Sequence, residues 1–250
     1  MITALSLERF KTRRKWVWWV VAALVAAQAA WSLWSLTYLD AEDLPQGWLF
    51  LLYDFPLLNA LMMPVIVAVV ASRLSDLEHK GQTLRLLDTL MSAGRLYDAK
   101  FLHGALYMLA AVFLQVALML IAGLWKGFPG QIPLDRFAAY VLMTMAVDLL
   151  ILAVQQALSL WFTNQMIPLA VGVMGAFYGL FSLFFPSGLQ GLLPWGLYGV
   201  LMFVRLDWDQ ATRISNYSWT PLNWGGLVLV AVEFCVIYAI GRFLFARKEQ

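Results

Sequence analysis

Apolar residues come in long runs along this chain, most of them about the length that crosses a bilayer, separated by short polar or charged intervals. The pattern opens on residues 1–15, where Arg9, Lys11, Arg13, Arg14 and Lys15 accompany Leu7 and Phe10, and predicts a helix lying on the membrane surface. Residues 16–72 hold two spans. The first runs from Trp16 to Leu36, with Trp16, Trp18 and Trp19 at one end and Trp31 and Trp34 near the other, as interfacial belts require. A secretory signal cleaved around Ala27-Gln28-Ala29 is the competing reading, but the apolar run continues past that point. An acidic loop from Leu39 to Tyr53 carries Asp40, Glu42 and Asp43; the second span then runs from Asp54 to Ser72, opened by Pro56 and bent at Pro64. Beyond a charged loop at residues 73–100, residues 101–185 hold spans three to five: Phe101 to Trp125, Arg136 to Trp161, and one opening at Pro168 and ending near Phe185.

The next apolar stretch, Leu192 to Val204, is too short to cross a bilayer and is broken by Pro194, Gly196 and Gly199. It suits a re-entrant hairpin within one external segment, residues 186–222. A sixth span from Asn223 to Gly241, ending in Arg242, Arg247 and Lys248, then fills residues 223–250. The expected fold is an all-α polytopic membrane protein, one transmembrane domain over 1–250 with six transmembrane helices and both termini cytoplasmic. This placement puts thirteen Lys and Arg inside and four outside (Lys126, Arg136, Arg205 and Arg213), the direction of the positive-inside rule.

Composition narrows the function. With 62% hydrophobic and 13% charged residues, and a mean hydropathy of +0.74, the chain lies outside the soluble class. A net charge of +2 offers no basic surface for nucleic acid, and Cys235, the single cysteine, allows neither an intramolecular disulfide nor a cysteine metal site. Nothing matches GxxxxGK[ST], so ATP must be handled elsewhere; His79 and His103 stand apart, with no HExxH. No catalytic set is expected.

The charged loop is the most informative stretch. Arg73, Lys80, Arg85, Arg95 and Lys100 alternate with Asp76, Glu78, Asp88 and Asp98, while Leu84, Leu87 and Met91 recur at helical spacing between Gly81 and Gly94. A short amphipathic helix tethered between two spans cannot fold alone, so its use is to dock onto a partner. The series Glu78, Lys80, Gly81, Thr83, Leu84, Leu86, Leu87, then Arg95, Leu96, Tyr97, Ala99, Lys100, resembles the cytoplasmic loop of type-2 ABC exporter permeases. Among them it is most similar to lantibiotic self-protection and peptide-antibiotic resistance permeases, though many members place a Pro before the Arg and this chain has none between Pro64 and Lys100.

The resemblance implies a coupling helix seated on an ABC ATPase subunit, with Glu78, Gly81, Thr83, Leu84, Leu87, Met91, Arg95 and Lys100 at the coupling site. It also implies pairing with a second permease copy or a homologous permease, ATP and Mg bound by the ATPase, and residence among membrane lipid in the bacterial cytoplasmic membrane. The implied cargo is an amphipathic peptide antibiotic or similar hydrophobic compound.

Asp148 and Glu233 lie near the middle of apolar spans, where a carboxylate must face an interior, be paired or be protonated. With Thr144, Gln155 and Ser159 at near-helical spacing, Asp148 either lines a substrate path together with Gln155 and Glu233 or ties helices to one another. A proton- or ion-coupled carrier built on Asp148 and Glu233 is the alternative function. Gly172, Gly175 and Gly179 form a small-residue stripe expected to pack a helix closely, across a dimer.

Overall fold

The computed structural model describes residues 2–12, 16–40, 42–81, 92–208 and 215–248. Its helices are α1 (Ile2–Thr12), α2 (Val17–Ser35), α3 (Gly47–Gly81), α4 (Ala93–Lys126), α5 (Leu134–Trp161) and α6 (Met166–Ser182), followed by two single-turn pieces, α7 (Ser187–Gln190) and α8 (Leu197–Val200). Strands β1 (Val204–Trp208) and β2 (Ser215–Trp219) come next, then α9 (Trp224–Lys248). Among the described residues five helices are long and apolar enough to cross a membrane: α2, α3, α4, α5 and α9. The protein is therefore a multi-pass, mostly helical membrane protein. α6, of 17 residues, is apolar but shorter than a usual span.

Local chemistry sets the helix ends. α4 stops where Gly127 enters the left-handed region (φ 70°), letting the Phe128 amide reach back to the Gly123 carbonyl at 3.0 Å. α9 starts where the Asn223 side chain accepts the Gly226 amide at 2.8 Å.

Three boundaries differ from the sequence expectation. Residues 47–53, assigned to the acidic loop, already belong to α3, because Trp48, Leu51 and Leu52 are buried against the bundle and only residues 40–43 carry the acids. Both flanks of the 73–100 loop are helical: α3 continues to Gly81 and α4 begins at Ala93, so Arg95 and Lys100 lie within a helix. The segment expected to be a re-entrant hairpin is α7, α8 and an antiparallel β-hairpin pairing Val204 with Trp219 through Trp208 with Ser215. That hairpin is clipped to the start of α3: Gln46 accepts the Tyr217 amide at 2.7 Å, and the Tyr217 ring packs on Phe50 and Tyr53.

α3 is the axis of the bundle, with α2, α4, α5 and α6 packed around it. Pro64 lies inside it and has no amide hydrogen to give the carbonyl of Ala60, one turn earlier. α6 lies directly against that carbonyl. A Cβ on Gly179 would sit 2.6 Å from Ala60 O and 2.9 Å from Trp195 O, one on Gly175 would meet the Trp195 ring at 2.2 Å, and one on Gly172 the Ala68 Cβ at 2.3 Å. The glycine stripe is thus buried within the chain, against α3 and the Trp195 turn. This corrects the expectation of a dimer seam at Gly172, Gly175 and Gly179: the close packing is there, but its partner is intramolecular.

Candidate functional site

One end of the bundle gathers the residues that flank the charged loop. Asp98 of α4 accepts from Arg242 of α9 at 2.8 and 3.1 Å and from the Tyr238 hydroxyl at 2.7 Å. Gln156 of α5 donates to the Tyr97 carbonyl at 3.0 Å. Lys100, one turn further along α4 from Tyr97, is buried and donates to Glu8 of α1 at 3.1 Å and to the Leu74 carbonyl of α3 at 2.9 Å. Burial alone would raise the Glu8 carboxyl, but Lys100 and Lys11 beside it outweigh that and hold it below the ordinary value. Thr12 adds a second contact, its hydroxyl 2.9 Å from His103 Nε2.

This placement revises the coupling set. Lys100, expected to face an ATPase, is enclosed among α1, α3 and α4 and presents nothing outward. Arg95 is exposed in the first turn of α4, and Gly81 is the last residue of α3. The backbone of Glu78 is helical, while its side chain lies outside the description, as do residues Thr83, Leu84, Leu87 and Met91 and the amphipathic helix expected there.

The residues expected along a substrate path sit in three different surroundings. Asp148 is fully buried and accepts a hydrogen bond from the Tyr198 hydroxyl of α8; its second oxygen has no hydrogen-bond partner among the described residues. Its partner Tyr198, with Tyr140, Thr144 and Val147, bounds a space of about 10 Å³, at the lower limit for one water. Gln155 is also fully buried and bridges α5 to α6: with its amide oriented to satisfy both ends it donates to the Pro168 carbonyl at 3.0 Å and accepts from the Gly172 amide at 3.1 Å. Glu233 is half-exposed on α9. The three residues do not converge, and Asp148 and Gln155 act as ties between segments of one chain.

A second polar group was missed from the sequence. Gln28 of α2, Asn59 of α3, Gln115 of α4 and Tyr140 of α5 close a buried network. In it Gln28 donates to Asn59 at 2.8 Å, Gln115 to Gln28 and to Asn59 at 2.9 Å each, Asn59 to Tyr140 at 2.9 Å, and Tyr140 back to Gln115 at 2.7 Å. Four uncharged side chains from four helices saturate one another, which is the way polar groups hold helices together without water. The signal was there: a single amide near the middle of each of three apolar runs.

Among the described residues no group of three or more His, Cys, Asp or Glu side chains comes together. What the molecule offers is a packed bundle with charged, cross-tied helix flanks at one end, and its sequence matches the family described as ABC-2 family transporter protein over residues 4–180. The chain belongs to the ABC-2 transporter family. No curated protein matches it individually. An ABC-2 permease is a membrane transport subunit rather than a catalyst, and permeases of this kind generally work with an ABC ATPase partner. In this permease the matched region takes in α1 to α6 up to residue 180, so it includes both flanks of the charged loop.

Proposed function

We propose that this permease is the membrane subunit of an ATP-driven exporter, docking its ATPase through residues 82–91 and carrying the ATPase's motion into the bundle. The supporting observation is the family match across both helices that flank that segment. ATP and Mg are bound by the partner ATPase, and a second copy or a related permease completes the transporter. Six spans with both termini cytoplasmic follow if α6 crosses as the fifth, with α7, α8 and the β-hairpin on the external face. The cytoplasmic membrane of a bacterium is the expected location, and an amphipathic peptide antibiotic or similar hydrophobic compound the expected cargo, both on the resemblance of the loop to peptide-antibiotic resistance permeases.

The test is purification of the tagged permease from its host in gentle detergent, followed by mass spectrometry. A P-loop ATPase should co-purify in near-equal amount and be lost on Leu84→Asp with Leu87→Asp, while membrane insertion is unchanged. Retention of the ATPase by that double variant would refute the docking role.

A further inference from the structure

Helix α1 meets the bundle through two matched contacts. Glu8 and Thr12 lie one turn apart on α1, Lys100 and His103 lie nearly one turn apart on α4, and each residue of α1 bonds its counterpart. The side chains of Lys100 and Glu8 are 1% and 0% exposed. Two charges this deeply buried contribute little net attraction, so their effect is to hold a geometry. The Lys100 ammonium donates to Glu8 on α1 and to the Leu74 carbonyl on α3, and the other oxygen of Glu8 accepts from Lys11 at 2.9 Å. Leu74 belongs to the helix that leads into residues 82–91, and Lys100 to the helix that leads out. One ammonium therefore ties both flanks of the loop to each other and to the surface helix. Two residues earlier, Asp98 bonds Arg242 and Tyr238 of α9, and just before it the Tyr97 carbonyl accepts from Gln156 of α5.

We infer that Lys100 is a positioning residue for energy coupling. Held by Glu8 and the Leu74 carbonyl, it keeps the two flanks at a fixed spacing, so that a displacement delivered to residues 82–91 moves α3 and α4 as one body and reaches α9 through Asp98. The inference rests on the ATPase-driven reading above. Without the tie the flanks yield separately, and ATP is hydrolysed with little movement of α9.

Cys235, the only cysteine and exposed on α9, provides the reporter. The permease is purified with its co-expressed ATPase, labelled at Cys235 with an environment-sensitive fluorophore, reconstituted into liposomes and exposed to ATP-Mg with vanadate. Wild type should show a nucleotide-dependent change in emission. The double variant Glu8→Gln with Lys100→Met, which leaves neither charge buried alone, should keep the ATPase bound and hydrolysing while the Cys235 response falls by at least ~10-fold. Lys100→Arg, which preserves the ion pair, should keep the response. An undiminished response in the double variant overturns the inference, as does loss of the ATPase from it, which would make the contact one of assembly. Wild type that hydrolyses ATP without a change at Cys235 overturns it also. A wild-type permease that recruits no ATPase instead removes the transport reading itself.

Discussion

Helices α3 and α9 are both apolar enough to cross a membrane and nearly alike in this respect, yet most of the apolar stretch of α3 is buried in the chain and little of that of α9. Apolarity does not separate them, because lipid satisfies a Val or Leu as well as a neighbouring helix does. Small and polar positions do. α3 brings Asn59 to a four-helix hydrogen-bond network and Ala60 and Ala68 to the α6 glycines, whereas α9 leaves Val228, Val232, Val236, Ile240 and Phe243 outward. Its side-chain hydrogen bonds to α4 come from Tyr238 and Arg242, and Phe245 packs nearby against Tyr97.

The contrast can be broken most severely at the α3–α6 seam. Gly179→Leu forces a side chain against two backbone carbonyls that cannot rotate away, and should cost about 3 kcal/mol or more of resistance to denaturant in detergent, with lowered yield of folded permease. Asn59→Leu should follow, at about 1–3 kcal/mol in the same assay, since it strands polar groups of Gln28, Gln115 and Tyr140 together.

Acid provides a gentler probe, away from both helices. The Glu8 carboxyl is held below its ordinary value near 4.5, so the stability it contributes is complete above that pH and fades as the pH falls through the lower folded value. Wild type should therefore lose more stability than Glu8→Gln with Lys100→Met as the pH is lowered from 7 through the carboxylate range, a difference smaller than either seam variant produces. The smallest effect is expected on α9: Val232→Ala with Val236→Ala should change the monomeric permease by less than about 0.5 kcal/mol. A markedly larger loss in the assembled transporter than in the monomer would show that a protein partner, rather than lipid, covers that face.

The same distinction explains what could be read from the sequence. The apolar runs located every long helix, because span length is set by the bilayer and visible in one dimension. Boundaries erred at two helix ends: residues 93–100 carry enough charge to resemble a loop but are helical around the buried Lys100, and residues 47–53, apolar themselves, follow the acids at 40–43 so closely that the loop hides the start of a helix packed through Trp48. The β-hairpin left a trace in the alternation of Val204-Arg205-Leu206-Asp207-Trp208, overlooked because the short apolar stretch just before it favoured a re-entrant reading of the whole segment. Of the candidate sites, the glycine stripe was recognised as a packing element but assigned the wrong partner, since small residues mark a close approach without naming what approaches. Asp148 and Gln155 were noticed for their polarity, while their partners, Tyr198 and the first turns of α6, lie too far along the chain for spacing to reveal.

Pro64 and Gly179 bear on how this sequence can change over time. A proline leaves one carbonyl of α3 without its helical donor, and a glycine 115 positions later lets another helix settle directly against that oxygen. Replacing the glycine closes the approach; replacing the proline restores the internal hydrogen bond and straightens the surface that the second helix was fitted to. Neither residue can be exchanged freely alone, so across related permeases the two should be gained and lost as a pair, a linked substitution that an alignment of such sequences would register as covariation.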